Sequence, residues 1–363
     1  MTTNPVFPGL AGVLVAKTEL SSVEGESGRL SVRGKRIESL ASQVSFEAMV
    51  ALLLDGALPD AAGQAAWQAR LGDARARAHA WLLPRLEAVS SPSAMTTLRT
   101  ALSLLAEEAT PADVIGVAAV ATVAWIRRQR GGPLPVPKPG LPHGADLLRM
   151  LSGQDDVAEN AARLLEAYLV TVAEHGFNAS TFAARVAAST GADLAGAVVA
   201  GVATLAGPLH GGAPGPVLDM LDAVGVPERA TAYVRAELEA GRRLMGMGHR
   251  VYRVRDPRAF VLERALTAYQ SGEGRSARLR LARAVEAAAE SALAQKYPDR
   301  ALRANVEFYT ALLLEALAVP RGAFTAIFAC ARVAGYAAHV DEERRTGRLI
   351  RPSALYVGPP IES

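Results

Sequence analysis

The chain has 363 residues, half of them hydrophobic and 21% charged. That length is enough for two or three domains with real cores, and the composition excludes wholesale disorder. The 39 basic and 36 acidic residues leave a net charge of +3, too balanced for a nucleic-acid footprint despite a pI near 9.1. Only four of the basic residues are lysine (Lys17, Lys35, Lys138, Lys296), so the arginine excess reads as compositional bias. One cysteine, Cys330, precludes an internal disulfide or a thiolate metal cluster, and its apolar neighbours mark it as a buried small residue. No basic segment followed by an apolar stretch opens the chain, so no secretory signal is read. The longest uncharged stretch, Leu194 to Leu218, is broken by Pro208, His210, Pro214 and Pro216 and is too short in its apolar part to span a bilayer. A cytoplasmic protein in a reducing compartment is expected.

Along the chain, the first forty residues hold alternating, glycine-punctuated segments such as 29–34, which predict short strands or extended arms. Helical periodicity then takes over. Phe46, Met49, Val50, Leu53 and Leu54 share one face behind a Ser45 cap. Further helices are predicted over 95–105, 114–126, from 145, over 157–173, over 174–188 and over 194–206. The segment 131–140 carries four prolines and reads as a surface connection. Residues 207–216 form a glycine- and proline-rich turn carrying a histidine. Helices resume at 217 with denser charge, interrupted by an exposed loop at 271–275, and the chain turns apolar again over 306–340. This swing predicts a smaller domain (218–322) inserted between two parts of a larger one (1–217 and 323–363). The fold class is all-α.

Four settings could carry chemistry. His210 lies between Gly207-Pro-Leu and Gly211-Gly212, where a backbone can approach a ligand closely and a histidine can be kept neutral as a donor. His249 is flanked by Gly248 and followed by four arginines ending at Arg258, a plausible site for carboxylates or phosphates. His175 shares a predicted helical face with Asn178, Phe182 and Arg185. Glu307 sits among apolar residues, where burial would raise its pKa and make it a better base. On local sequence alone each keeps a structural alternative: a loop histidine, a solvated basic loop, a buried polar ladder and a buried salt bridge. No metal-ligand spacing and no phosphate-binding loop is present.

Together these segments resemble the citrate synthase family. The resemblance runs in order through Gly9-Leu-Ala-Gly12, Gly28-Arg-Leu with Arg33-Gly34, and Glu174-His-Gly-Phe-Asn-Ala-Ser-Thr. It continues through Leu209-His-Gly-Gly, Gly248-His-Arg-Val-Tyr with Asp256-Pro-Arg, and Asn305-Val-Glu-Phe-Tyr. It ends with Ala331-Arg-Val-Ala-Gly and Leu349-Ile-Arg-Pro-Ser-Ala-Leu-Tyr-Val-Gly358. It implies an all-helical homodimer with the active site in a cleft between a large and a small domain. The implied reaction condenses acetyl-CoA with oxaloacetate and hydrolyses citryl-CoA, without a metal or redox cofactor. The matching positions make Glu307 the base, His210 the hydrogen-bond donor to the thioester oxygen, and His249 the group that polarises the ketone. His175, Arg258, Arg332 and Arg351 match the oxaloacetate positions, with Arg351 reaching the partner's site. Coenzyme A would contact Arg242, Arg243, Leu244, Met245 and Gly246. The chain lacks the N-terminal extension that longer bacterial members use for hexamers and NADH regulation, so a dimer without that regulation is expected.

Two positions depart from the family pattern. Glu307 stands where the family has aspartate, which moves the carboxylate by roughly 1 Å, and Pro214 stands where asparagine is usual. Some actinobacterial-type second citrate synthases look similar at both positions. The alternatives are a 2-methylcitrate synthase using propionyl-CoA, since one methylene is worth only about 1–3 kcal/mol, and a catalytically impaired dimer that senses oxaloacetate or acyl-CoA.

Overall fold

The computed structural model describes residues 6–10, 12–210, 214–270 and 277–359. The early alternation forms an antiparallel sheet of β1 (Ser21–Glu24), β2 (Arg29–Val32) and β3 (Lys35–Arg36), with Ser21 opposite Val32 and Ser31 opposite Arg36. Helices follow: α1 (Ile37–Gln43), α2 (Phe46–Leu54), α3 (Ala61–Leu82), α4 (Leu86–Val89), α5 (Ala94–Ser103) and α6 (Pro111–Gln129). Next come α7 (His143–Ser152), α8 (Glu159–Val172), α9 (Ala179–Ser189), α10 (Leu194–Leu205) and α11 (Pro214–Val224). The last are α12 (Ala230–Glu239), α13 (Pro257–Tyr269), α14 (Ala277–Lys296), α15 (Val306–Ala316) and α16 (Phe324–Thr346). The fold is all-α apart from that small sheet.

Local chemistry explains the boundaries. Ser45 caps α2 by accepting from the Ala48 N–H, and Thr110 with Asp113 forms a capping box ahead of Pro111 on α6. The proline-rich segment 131–140 is irregular and mostly exposed. The predicted helix over 174–188 is shorter than expected: α9 begins at Ala179, because Asn178 caps it. The loop expected at 271–275 and the Gly211-Gly212 part of the histidine turn lie outside the described residues.

Two helices buried along most of their length, α6 and α16, form the centre. α16 packs against α2, α5, α6, α8, α9 and α10. The stretch Arg321–Thr346, mean hydropathy 1.3 in its most apolar window, is long and apolar enough to cross a membrane, yet 94% of that window is buried within the fold. It is a core helix. α12 packs on α14, and α15 on α11 and α13, while α13 also rests on α8 and α1 and so joins this group to the rest.

Two carboxyl groups meet inside the first part. Glu47 on α2 accepts from the His143 N–H at 2.6 Å, and Glu166 on α8 accepts from the Phe46 N–H. Burial, then the charge of Glu47, pushes the Glu166 pKa up to about 8. The folded chain therefore holds this proton over a range in which the unfolded chain, titrating near 4.5, has released it. Stability from this group falls as pH rises through that window. Glu166→Gln keeps an acceptor for Phe46 and is expected to flatten the decline of Tm between about pH 5 and 8; an unchanged slope would contradict the buried proton on Glu166.

Candidate active site

The turn 174–178 places the first histidine. Asn178 Oδ1 accepts from the N–H groups of Ser180 (3.1 Å) and Thr181 (3.0 Å), which starts α9 there and leaves His175 in the turn before it. His175 and Asn178 therefore do not share a helical face, contrary to the sequence reading. The side-chain cap outcompetes helix propagation through Gly176, whose φ is +65°. His175 is buried, and its Nε2 lies 3.0 Å from the Tyr252 hydroxyl. Burial first, then the charges of Arg258, His249 and Arg332, hold its pKa well below the usual histidine value.

The segment 246–258 places the second histidine. Gly246 has φ +74° and brings the backbone against Phe308, where a Cβ would sit 3.0 Å from that side chain. Asn305 donates its N–H to the Gly246 carbonyl (2.9 Å) and its side-chain amide to the Gly248 carbonyl (2.9 Å). These bonds pin His249 beside the start of α15. His249 Nδ1 accepts from the N–H groups of Val251 (3.0 Å) and Tyr252 (3.1 Å). A neutral ring so engaged carries its proton on Nε2. That atom stands 3.4 Å from Arg258 NH2. Two donors thus converge on one point, an arrangement that suits an incoming oxygen acceptor. Burial and then Arg258 push the His249 pKa down to about 4, partly opposed by Asp256. Its ring stands edge-on to His175 at 5.4 Å.

Arg258 is itself buried and held by Asp256, through Nε (3.1 Å) and NH2 (2.7 Å). Asp256 also caps α13 by accepting from the Arg258 N–H. The sequence reading missed Asp256, although Asp before Pro at the first helical position is a cap signature.

Glu307 lies in the first turn of α15, whose cap Asn305 accepts from the Glu307 N–H at 3.0 Å. Its carboxylate accepts no hydrogen bond from the described residues. Desolvation raises its pKa to about 7, against the lowering charges of Arg258 and Arg332. His210 is half-buried on the turn after α10. Its Nε2 lies 2.8 Å from Ser180 Oγ, and burial, then Arg332, lowers its pKa.

Arg332 on α16 completes the set. Its Nε donates to the Val172 carbonyl at 2.7 Å, its guanidinium lies over the Phe328 ring at 4.7 Å, and its NH2 is buried without a partner. A buried, unpaired guanidinium nitrogen calls for an anionic ligand. One charge, Arg332, acts on His175, His210 and Glu307; the other, Arg258, acts on His175, His249 and Glu307. His175, His210, His249 and Glu307 thus lie in one field of charge.

Two groups of expected residues lie apart from it. Arg351 stands on the exposed tail 347–359 and has no partner among the described residues. Arg242 is exposed and paired with Glu237 through Nε (2.8 Å) and NH2 (2.6 Å). Arg243, Leu244 and Met245 line a cavity of about 200 Å³ with Tyr233, Glu237 and Asp219, beside the segment that carries His249. Ser180, Tyr252 and Tyr336, which touch the histidine network, had no assigned role from the sequence.

Buried guanidinium groups, one with an unpaired nitrogen, beside neutral histidines and a carboxyl of raised pKa are the equipment of an enzyme suited to an anionic ligand and to proton transfer. The family model for the C-terminal domain of citrate synthase matches residues 9–353. A Mycobacterium tuberculosis protein provisionally named citrate synthase 2 is 38% identical over 373 residues, covering 97% of this chain and 93% of its own. A 2-methylcitrate synthase of that species is 35% identical over 364 residues, covering 96% of this chain and 90% of its own. The crystal structure of citrate synthase from Thermotoga maritima superposes with a TM-score of 0.87 at 34% identity, over 98% of this chain and 97% of that one. A Thermoplasma acidophilum citrate synthase, solved with carboxymethyl coenzyme A and oxaloacetate, superposes with a TM-score of 0.88 at 26% identity, over 99% and 98%. The chain belongs to the citrate synthase family.

Asp256→Ala removes both the counter-charge of buried Arg258 and the cap of α13. A lost cap alone costs about 1 kcal/mol, whereas breaking a buried ion pair costs about 3–5 kcal/mol. The larger loss is expected in urea unfolding of the ligand-free protein; a loss near the smaller figure would show that Arg258 does not depend on this partner.

Proposed function

We propose that the protein condenses acetyl-CoA with oxaloacetate and water to give citrate and CoA. The observation that carries this reading is the Glu307 carboxyl, raised to about 7, set in one field with two neutral histidines and an unpaired buried guanidinium. The oxaloacetate carboxylates take Arg258, the open NH2 of Arg332, and Arg351 from a second copy of the chain, with His175 as a further donor. The ketone oxygen lies between His249 Nε2–H and Arg258. Glu307 takes a proton from the thioester methyl, and His210 donates a hydrogen bond to the thioester oxygen as charge develops there. The enolate carbon attacks the ketone carbon, and His249 supplies the proton to the new alkoxide. Water then hydrolyses citryl-CoA. No step calls on a metal or redox cofactor, because hydrogen-bond donors carry the developing charge.

Coenzyme A is held along Arg242, Arg243, Leu244, Met245 and Gly246, next to the cavity that three of them line. His175, His210 and Arg332 come from residues 1–217 and 323–363, while His249, Arg258 and Glu307 come from 218–322. Closure of these two parts as domains would assemble the site and exclude water until the carbon–carbon bond forms. We place the enzyme in the cytoplasm as a homodimer. The apolar side chains exposed on the two arms, Phe7, Leu14, Leu355 and Val357 among them, support pairing with a second copy. The 35% identity to a 2-methylcitrate synthase favours testing propionyl-CoA as a second substrate.

CoA release from acetyl-CoA plus oxaloacetate is expected, with propionyl-CoA run beside it. Glu307→Gln should lose about 10²–10⁴-fold in kcat. The base must be ionised, so kcat/KM should rise with pH through about 7; release that survives Glu307→Gln would sink the assignment.

Arg351 gives a separate test. Arg351→Ala and Glu307→Gln should each be inactive alone. If Arg351 serves the partner's site, mixed dimers regain one intact site each, and re-associated mixtures recover about a quarter of wild-type activity. No recovery would place Arg351 in its own subunit's site or outside catalysis.

A further inference from the structure

The hairpin of β1 and β2 touches both segments that carry the neighbouring histidines. At the start of β1, Ser21 Oγ donates to Glu174 Oε1 at 2.8 Å, and Val23 lies against Gly176, where a Cβ would stand 2.8 Å from the valine methyl. That end is rooted on the turn of His175. The hairpin turn, 25–28, reaches the segment after His249 instead. The Gly25 carbonyl accepts from the Arg253 N–H at 3.0 Å. A Cβ on Gly25 would overlap the Val251 carbonyl oxygen and stand 3.0 Å from the carbonyl carbon. Gly25 is not in the left-handed region, so close approach, and not its own backbone, calls for glycine there. The Val251 carbonyl and the Tyr252 N–H belong to one peptide, and that N–H donates to His249 Nδ1 at 3.1 Å. A trans peptide is rigid, with its carbonyl and N–H on opposite sides. Gly25 therefore backs the peptide whose other side holds the imidazole.

We propose that Gly25 is a positioning residue for His249. Its missing side chain lets the hairpin turn pack on the 251–252 peptide, and its carbonyl fixes the next peptide through the Arg253 N–H. Two successive peptides held from behind keep the Tyr252 N–H aimed at Nδ1, with the Val251 N–H beside it. An Nδ1 that accepts leaves the ring proton on Nε2, the nitrogen that faces Arg258. The same hold places the Tyr252 hydroxyl 3.0 Å from His175 Nε2, so one hairpin sets the spacing of two histidines. Gly25→Ala leaves the 251–252 peptide no room where it stands. The peptide must tip aside or be driven into the ring, and in either case His249 loses its paired donors. The effect on catalysis rests on the role proposed for His249 above, whereas the positioning does not.

The test is Gly25→Ala in full-length protein labelled at histidine nitrogen. The His249 Nδ1 resonance, assigned by the signal lost in His249→Asn, reports whether that lone pair is hydrogen-bonded. The wild type is expected at the bonded position, and Gly25→Ala is expected to move the signal toward that of an open nitrogen. The kcat for CoA release should fall at least about tenfold, toward the about 100-fold that a misplacement of about 1 Å costs. Gly28→Ala is the control for a merely damaged hairpin. Its φ of +62° makes any side chain a strain on the turn, but the nearest atom to its Cβ would be a Val254 methyl at 2.5 Å, which can rotate away. It should lower Tm and leave the His249 signal in place. An unmoved signal in Gly25→Ala, or an equal shift in both variants, would overturn the proposal. A moved signal with unchanged kcat would uphold it and remove His249 from the reaction instead. Amide exchange of the wild type does not depend on either variant folding. The Tyr252 and Arg253 amides should open together with the hairpin 21–32 as one unit, and their exchange while the hairpin stays protected would equally count against the proposal.

Discussion

A guanidinium buried in the middle of a helical core, with one nitrogen left unpaired, is the constraint around which this chain is arranged. Arg332 cannot leave its charge without compensation, because an isolated buried cation costs several kcal/mol. Its Nε is satisfied by the last carbonyl of α8, and its flat face rests on Phe328. The charge of Glu174, buried in the turn after α8, partly balances it. What remains open is NH2. The unsatisfied donor is a preorganised half of a binding interaction, held in place by the Nε bond and the Phe328 ring.

The same face of α16 supports the other site elements. Positions 332, 336, 339 and 343 recur at helical spacing. Tyr336 reaches Ser180 and through it His210. His339 Nε2 lies 3.1 Å from Glu174, and its Nδ1 lies 3.1 Å from Arg185. Arg185 is held in turn by Glu342 and Glu343. Since Arg185 can only donate, His339 accepts at Nδ1 and donates at Nε2, and Glu174 then fixes the turn by accepting the Gly176 N–H at 2.6 Å. His175 stands between those two residues. An apolar helix long enough to cross a membrane is therefore a scaffold for polar networks, and its burial is what makes those networks rigid.

Much of this was legible from particular residues. The strands near Arg29, the Ser45 cap and the broken helix at 131–140 follow from alternation, capping chemistry and proline sterics. His210 and His249 stand out because glycines flank them, and Glu307 because its surroundings are apolar. The turn 174–178 was misread because Glu174 and the alanine-rich segment from 179 favour helix, while the Asn178 cap and the positive φ of Gly176 decide the matter locally. Tyr336 and His339 carried no signal at all. Their partners are 156 and 165 residues distant in sequence, and only packing of α16 on α9 and on the turn brings them together. Arg351 lies on an exposed tail and has no partner among the described residues.

The arginines also explain why groups of such different chemistry can share one site. Arg258 and Arg332 depress the pKa values of His175, His210 and His249, adding to burial, so the histidines stay neutral and keep donor and acceptor nitrogens distinct. The same two charges oppose the rise that burial imposes on Glu307. A dianion seated on the arginines cancels part of this field. The opposition at Glu307 would then weaken, and in the proposed reaction its carboxylate would be a stronger base with the dicarboxylate bound. The depression at His249 weakens too, but two backbone donors still occupy its Nδ1, so the ring keeps its Nε2 proton aimed at the acceptor. Binding and base strength are therefore not independent properties of this site. In the proposed reaction, the charges that would hold the dicarboxylate also restrain the carboxyl proposed as the base, and the ligand itself would lift the restraint.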